Sequence, residues 1–161
     1  MKFVADTHAH TLASGHAYST IREMAAAGAA KGLKALAITE HAPEMPGTCN
    51  FIYFQNLDVV PREMNGMQLL FGAELNIMDP DGTVDLPESI CRDLDIVSAS
   101  IPPPCSGKGR SMEANTRAYI EAMKKPYINI IGHQDDGRFP VAYEAVVKAA
   151  GETTTLLALN N

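Results

Sequence analysis

The stretch Lys34-Ala35-Leu36-Ala37-Ile38-Thr39-Glu40-His41 decides the fold that this sequence predicts. Its first part, Lys34–Thr39, is a mostly apolar run of strand length, which is typical of a parallel strand covered on both faces. Comparable runs recur along the chain at intervals that leave room for helices. We predict six strands: Lys2–Asp6, Lys34–Thr39, Gln68–Glu74, Asp95–Ser100, Ile128–Gly132 and Thr154–Asn160.

Helix-like segments separate several of these runs. Ser19 is a candidate N-cap of the first segment, Gly32 would stop it, and Gly151 would stop the last. The alternation predicts right-handed βαβ units, and therefore an α/β fold with a parallel sheet or barrel. The predicted helices are Ser19–Lys31, Ser111–Lys124 and Pro140–Ala150, and the predicted long loops are Ala42–Phe54 and Ile101–Arg110.

Composition and charge exclude several classes of protein. The chain has 161 residues, of which 46% are hydrophobic and 20% charged, as in globular rather than disordered chains. A net charge of −6 argues against non-specific binding to nucleic acid or anionic membranes, and no apolar run could span a bilayer. Cys49, Cys91 and Cys105 form no C-x-x-C pair, so neither a disulfide framework nor a zinc knot is predicted. We therefore expect a cytoplasmic protein.

Side chains that can bind metals follow the predicted strands at the point where each strand ends. Because the carboxyl ends of parallel strands meet on one face, we expect these side chains to converge. Imidazoles with a carboxylate suit zinc, iron or manganese, and one glutamate can bridge two ions. The candidates are His8, His10 and His16 after the first strand, His41 after the second, Glu74 closing the third and His133 after the fifth.

Several motifs resemble those of the PHP (polymerase and histidinol phosphatase) superfamily, with the greatest likeness to its YcdX-like phosphatase branch. They are Asp6-Thr7-His8-Ala9-His10-Thr11, Ser14-Gly15-His16-Ala17-Tyr18-Ser19-Thr20, Thr39-Glu40-His41-Ala42-Pro43, Gly72-Ala73-Glu74-Leu75-Asn76-Ile77 and Ile131-Gly132-His133. The resemblance implies a distorted, TIM-like (β/α)7-type barrel that would be incomplete at the C-terminus, with about six strands present. It also implies a trinuclear metal cluster and hydrolysis of phosphoric esters.

The resemblance assigns ligands to up to three divalent ions (Zn, Mn or Fe). His8, His10 and Glu74 would hold one ion, and Glu74 would bridge to a second ion that His133 also binds. His16 and His41 would hold the third. Glu74 and His10 are the positions we expect to be catalytic, while Asp6 is expected to accept a hydrogen bond beside the ligands.

The chain departs from the family pattern in three places. Members usually carry a histidine after the fourth strand, where this chain reads Ser98-Ala99-Ser100-Ile101-Pro102, and a late Asp-x-His element, which is absent before Asn161. Glu40 also replaces the usual aspartate. Each implied ion therefore lacks one expected ligand. Two compatible explanations stay open. Residues 1–161, a single PHP-like domain lacking its last strand and helix, are expected either to be a fragment of a longer active protein or to have diverged so that the site is weakened or lost.

The function expected from these features is metal-dependent hydrolysis of a small phosphomonoester through a metal-activated water. One alternative is a degenerate, catalytically weakened metal-binding PHP domain. Another alternative is an amidohydrolase-type hydrolase, since an H-x-H motif after the first barrel strand also occurs there. It is less favoured because a histidine as close to that motif as His16 fits that family poorly. The expected partner is a small phosphorylated substrate. Lys108 and Arg110 could contact its phosphate, but a solvated loop is the favoured interpretation of these two residues, and no substrate-binding residue is assigned. No nucleic-acid or membrane partner is expected, while an exposed barrel edge would favour a homo-oligomer.

Overall fold

The protein folds around one curled sheet. The structure, a computed structural model, describes residues 4–102 and 109–159. Six parallel strands lie in the order β1-β2-β4-β5-β6-β7 and form a half-barrel, and a short β3 pairs antiparallel with β4. The strands are β1 (Ala5–Asp6), β2 (Ala35–His41), β3 (Glu63–Met64), β4 (Met67–Asn76), β5 (Ile96–Ser100), β6 (Ile130–Ile131) and β7 (Leu156–Leu157).

The predicted α/β fold with about six parallel strands is confirmed, although the strand bounds differ. β2 and β4 extend two residues beyond their predicted ends, so His41 and Glu74 lie within strands. The first strand covers only Ala5–Asp6 of its predicted range, and residues 1–3 lie outside the described part of the chain. β3 was not predicted, because two residues carry too short a pattern to be recognised.

Five α-helices are described: α1 (Ile21–Ala30), α2 (Phe51–Gln55), α3 (Glu88–Cys91), α4 (Met112–Met123) and α5 (Tyr143–Thr153). The predicted Ser19 cap is wrong, because Thr20 caps α1 and forms a reciprocal capping box with Glu23. Gly151 does not stop α5, which continues to Thr153 and has Thr154, in a left-handed conformation, as its C-cap. The predicted loop Ala42–Phe54 contains most of α2, whose N-cap is the side chain of Asn50.

The core lies on the central strands, and the two edges of the sheet are exposed. Residues 36–41 of β2 and 71–76 of β4 are buried, whereas both residues of β1 are exposed and Leu156 of β7 is 65% exposed. The most buried strand ends therefore lie in the middle of the sheet, where they can hold polar side chains away from bulk water. Within the described residues, no helix has the length and apolarity that a bilayer crossing requires.

Gly72 sets the close approach of β4 and β5. It pairs with Ile96, and a Cβ atom added at Gly72 would lie 1.9 Å from the Ile96 carbonyl oxygen. No side chain can occupy that space without moving one strand. Glycine at this position therefore keeps the strand that carries Glu74 in register with the strand that carries Ser100.

Candidate metal centre

The candidate site lies at the carboxyl ends of the parallel strands. His41 is the last residue of β2 and pairs in register with Glu74 of β4, so neighbouring strands place these two side chains together. Ser100 is the last residue of β5. Three histidines of the site lie in the loops that follow β1 and β6. They are His8 and His10 after β1 and His133 after β6.

The carboxylate of Glu74 is the centre of the site. Its side chain is completely buried, and each of its oxygens faces a different set of partners. Oε1 accepts a hydrogen bond from the Ser100 hydroxyl at 2.7 Å and lies 3.4 Å from Nε2 of His133. Oε2 lies close to three imidazole nitrogens: Nε2 of His8 at 3.1 Å, Nε2 of His10 at 3.3 Å and Nδ1 of His41 at 3.1 Å.

Glu74 is ionised in this environment. Burial raises the pKa of its carboxyl group, but contacts with the imidazoles of His10, His133 and His8 outweigh burial and hold the pKa well below 4.5. A buried carboxylate of this kind requires positive charge or hydrogen-bond donors around it. Imidazole protons can supply that requirement, and so can a cation.

His41 is almost fully buried and neutral. Burial lowers its pKa to about 4, although the nearby Glu74 carboxylate opposes that shift. Its Nδ1 atom lies 3.1 Å from Oε2 of Glu74 yet has no hydrogen-bond partner among the residues that the structure describes. A buried imidazole nitrogen beside a carboxylate oxygen, without a hydrogen bond between them, leaves the nitrogen able to bind a cation.

His133 is held in an unusual backbone conformation. Its φ angle is +58°, in the left-handed region, which costs a non-glycine residue about 1 kcal/mol or more. The hydrogen bond with Glu74 raises the pKa of His133 despite its partial burial, and Asp136 adds to this shift. The strained backbone turns the imidazole toward the carboxylate of Glu74.

The loop after β1 folds tightly and adds His16 to the site. Residues Leu12–Ser14 form a turn of 3₁₀-helix, capped by the Thr11 side chain and closed by Gly15 at φ +77°. A Cβ at Gly15 would lie 2.2 Å from the carbonyl oxygen of Gly47, so only glycine fits. The turn brings the His16 ring to 5.6 Å from that of His10, between ring centroids.

A second buried carboxylate lies behind the histidines. Glu40 is completely buried and accepts hydrogen bonds from Thr11 N and Thr11 Oγ1, from Ser14 Oγ at 2.5 Å and from the Tyr53 hydroxyl at 3.4 Å. Ser14 Oγ in turn lies 3.0 Å from Nδ1 of His10. Glu40 therefore belongs to the site through Ser14, and does not line the cavity above it.

A cavity of about 420 Å³ opens above the cluster. Asp136 and Arg138 form one part of its wall and are joined by an ion pair of 2.7 Å. A permanently cationic side chain at the cavity is a candidate contact for an anionic ligand. The described lining residues are His8, His10, His16, His41, Met45, Glu74, Ser100, Ile101, Pro102, His133, Asp136 and Arg138.

The structure brings all six predicted side chains to this cavity, namely His8, His10, His16, His41, Glu74 and His133. Asp6 accepts a hydrogen bond from the backbone of His8, as expected. Arg110 is not among the lining residues, because its guanidinium donates to the Met78 carbonyl, and Lys108 lies outside the described residues.

Sequence analysis missed Ser14, Ser100 and Arg138 as functional candidates. Serine is common in loops and strands, so neither serine carries a signal until its neighbours in space are known. Arg138 follows His133 by five residues in a loop, and this nearness to a metal-competent histidine is the signal that could have found it.

The donor set fits a transition-metal ion. His8, His10 and Glu74 each offer one ligand atom within 4.8 Å of the other two. Zinc binds imidazole and carboxylate at roughly 2.0–2.2 Å, so two ligands of a tetrahedral ion lie about 3.3 Å apart. The contacts of 3.1–3.3 Å between these groups match that spacing.

The fold and the cluster define a class of protein: an α/β half-barrel with a histidine- and glutamate-rich site at its strand ends. The chain belongs to the PHP domain family, whose sequence model matches residues 6–158. It is 47% identical over its whole length to a probable phosphatase of Thermoanaerobacter sp. and to another of Caldanaerobacter subterraneus. The chain spans 66% and 63% of the length of these two relatives.

A solved structure shares the fold. It is the histidinol phosphate phosphatase of Lactococcus lactis, whose crystals contain zinc, L-histidinol and phosphate. The match has a TM-score of 0.64 and covers 97% of this chain and 72% of the other, at 18% sequence identity. This likeness places the half-barrel among incomplete barrels of the PHP kind, as the sequence motifs predicted.

Proposed function

We propose that the chain is the metal-binding part of a phosphoesterase that hydrolyses a small phosphomonoester. The observation that carries this proposal is the contact of the buried Glu74 carboxylate with four imidazoles, all within 3.4 Å. A buried carboxylate needs positive charge or hydrogen-bond donors around it, and a set of imidazole and carboxylate atoms this close together is also one that divalent cations bind. The names of the curated relatives, probable phosphatases, support the same reading.

The residues proposed to hold the ions follow from the distances. His8 and His10 would share one ion with Oε2 of Glu74, while His133 would share another with Oε1. His41 and His16, whose rings lie 4.8 Å apart, would hold a third. Bound divalent ions would supply Lewis-acid activation of water and neutralise negative charge on the phosphoryl group. Zinc, manganese and iron are all compatible with these ligands, and the occupied sites would number up to three.

The chain's own residues would bind and orient the substrate. Arg138 lines the cavity with its guanidinium already held by Asp136, so its planar donors are restrained before a ligand arrives. Guanidinium groups bind phosphate through two parallel hydrogen bonds, which also sets the orientation of the ester. Glu74 and His10 are the two residues proposed as catalytic. The Glu74 carboxylate would keep the nitrogens of the surrounding imidazoles turned toward the metal ions.

The proposed substrate is small because the cavity is small. A volume of about 420 Å³ accommodates a phosphorylated metabolite more readily than a folded macromolecule. The Lactococcus lactis neighbour, crystallised with L-histidinol and phosphate, is an example of such a substrate class in this fold. We propose a phosphomonoester of comparable size, without naming its alcohol part.

One observation favours a second candidate, a metal-binding PHP domain with weakened catalysis. Pro102 lines the cavity at the position where the family pattern has a histidine, and proline carries no side-chain donor atom. A site with fewer ligands binds its ions more weakly. In this alternative the chain would bind metal at Glu74 but turn over phosphomonoesters slowly.

Metal analysis and a phosphatase assay, carried out on the same preparation, separate the two candidates. We expect the purified protein to contain zinc, manganese or iron and to hydrolyse p-nitrophenyl phosphate, with both properties lost in Glu74→Gln. Glu63→Gln, at an exposed glutamate of β3, is the matched control and should change neither. Metal without hydrolysis would favour the weakened domain, while a protein that binds none of zinc, manganese and iron when they are added would overturn both candidates.

A further inference from the structure

Ser14 contacts three of the five histidines while lying outside the ligand set. Its hydroxyl lies 3.0 Å from Nδ1 of His10 and accepts a hydrogen bond of 3.0 Å from the backbone N–H of His41. Its carbonyl oxygen lies 3.0 Å from Nδ1 of His16. The side chain is completely buried, so water does not compete for these bonds.

The hydrogen of the Ser14 hydroxyl has a defined acceptor. A serine hydroxyl has one hydrogen to donate and two lone pairs that accept. Oε2 of Glu40 lies 2.5 Å away and accepts this hydrogen, as the Glu40 carboxyl oxygens also accept from the backbone and side chain of Thr11. Toward His41 N and His10 Nδ1 the hydroxyl must therefore accept.

This order of donors sets the proton on His10. If Ser14 Oγ accepts from Nδ1, the neutral imidazole carries its hydrogen on Nδ1 and leaves Nε2 with a lone pair. Nε2 is the atom that lies 3.3 Å from Oε2 of Glu74 and 3.1 Å from Nε2 of His8. The lone pair thus faces the other ligand atoms, where it can bind an ion.

The carbonyl of Ser14 does the same for His16. A carbonyl oxygen can only accept, so the contact of 3.0 Å requires hydrogen on Nδ1 of His16. In the neutral imidazole this arrangement leaves the lone pair on Nε2. One residue therefore prepares two imidazoles in the same tautomer, through its hydroxyl and its backbone.

We propose that Ser14, oriented by the buried Glu40, is a positioning residue that fixes His10 as the Nδ1–H tautomer and so makes its Nε2 available as a ligand. The consequence for metal affinity rests on the proposed function, whereas the tautomer itself does not. Without the hydroxyl, His10 would be free to adopt the Nε2–H tautomer, which places hydrogen where the ion should bind. Groups that orient metal-binding histidines typically change metal affinity by about 10–100-fold when they are removed.

Nuclear magnetic resonance of the metal-free protein tests the tautomer directly. Long-range ¹H–¹⁵N correlation spectra of histidine-labelled protein at pH 8 distinguish Nδ1–H from Nε2–H imidazoles, and His10→Asn assigns the signal. We expect Nδ1–H for His10 in the unmodified chain and a shift toward Nε2–H in Ser14→Ala. An Nε2–H His10 in the unmodified chain would overturn the proposal, even if the variant failed to fold.

Two further variants separate positioning from simple structural support. Tyr53→Phe removes another hydroxyl that donates to Glu40, at 3.4 Å, but leaves Ser14 intact, and should keep the Nδ1–H signal. Ser14→Thr restores a hydroxyl and should recover the tautomer lost in Ser14→Ala. If the Ser14→Ala variant folds and its His10 keeps the Nδ1–H tautomer, the positioning role of Ser14 is contradicted.

Zinc titration distinguishes this proposal from the proposed function. We expect Ser14→Ala to bind zinc about 10-fold or more weakly than the unmodified chain, while Tyr53→Phe binds normally. If the unmodified chain shows the Nδ1–H tautomer but binds no zinc, the proposed function fails and the tautomer assignment stands. If zinc binds and His10 is Nε2–H, the positioning role fails and the proposed function stands.

Discussion

The Ser100 hydroxyl donates a hydrogen bond of 2.7 Å to Oε1 of Glu74, at the closed end of the cavity. Ser100 ends β5 and Glu74 lies in the neighbouring β4, so the bond joins two adjacent strands at the site. It occupies one lone pair of an oxygen that also faces His133, at 3.4 Å. The bond therefore limits how the carboxylate can rotate toward its imidazole partners.

Ser100→Ala tests this relationship. We expect the free energy of unfolding to fall by about 1 kcal/mol, because a buried hydrogen bond is lost, and zinc affinity to fall about 10-fold, because Glu74 is less well oriented. Urea unfolding and competitive zinc titration measure the two effects. Ser98→Ala is the matched control on the same strand, since the Ser98 hydroxyl donates to the Ala73 carbonyl. Equal losses of zinc affinity in both variants would contradict the role of Ser100.

Arg138 is predicted to bind the phosphoryl group. Arg138→Met keeps most of the side-chain length but removes the guanidinium, and we expect KM for p-nitrophenyl phosphate to rise about 10-fold or more. Metal content should not change, since Arg138 is not proposed as a ligand.

Arg117→Met is the control for this effect. Arg117 also forms an ion pair with an aspartate, Asp81, but does not line the cavity. Steady-state kinetics should show an unchanged KM for this variant. A normal KM in Arg138→Met would instead place substrate binding elsewhere in the cavity.

Pro102→His is predicted to strengthen metal binding. Pro102 lines the cavity with the histidines, so an imidazole there would add a donor where the family pattern has one. We expect zinc affinity to rise about 10-fold, which corresponds to roughly 1.4 kcal/mol, and the number of bound ions not to fall. Isothermal titration calorimetry with zinc checks both values. Pro102→Ala, which removes the ring without adding a donor, should show no increase.

Gly72→Ala is predicted to be among the more damaging single methyl additions in the sheet. The new Cβ would meet the Ile96 carbonyl oxygen at 1.9 Å, so β4 and β5 must separate. We expect a loss of about 2 kcal/mol or more in the free energy of unfolding, measured by urea denaturation. Gly151→Ala is the control, because nothing lies within 4 Å of a Cβ added there, and its stability should not fall. Equal stability of both variants would contradict the close approach.

Cys91 is predicted to be nearly inert toward thiol reagents in the folded protein. Burial raises the pKa of its thiol to about 12, so thiolate is scarce at pH 8 and the sulfur is inaccessible. In a Cys49→Ser, Cys105→Ser background, we expect 5,5′-dithiobis(2-nitrobenzoate) to react with Cys91 only after urea unfolds the chain. Reactivity should rise as the pH approaches about 12, because deprotonation produces the reactive thiolate. Rapid reaction at pH 8 without urea would contradict the burial of Cys91 at the end of α3.

Much of the fold was predictable because long apolar runs carry a strong local signal. β2, β4 and β5 were recognised from such runs, although their ends were misplaced by one or two residues. The N-cap of α1 was assigned to Ser19 because the neighbouring residues Ser19 and Thr20 are both of types that favour the N-cap position. Only the reciprocal bonds of Thr20 with Glu23 select the true cap. β3 and α2 have too few residues to create a periodic pattern, so they could not be recognised.

By itself, the sequence determined which side chains stand at the ends of the parallel strands, since strand direction carries their carboxyl ends to one face. His8, His10, His41, Glu74 and His133 follow from that rule. Only the tertiary structure decided that Ser14 and Glu40 lie behind His10, that Ser100 holds Glu74 and that Arg138 reaches the cavity. Hydrogen bonds between segments distant in the chain depend on distances of a few tenths of an ångström. No local pattern of residues encodes such distances.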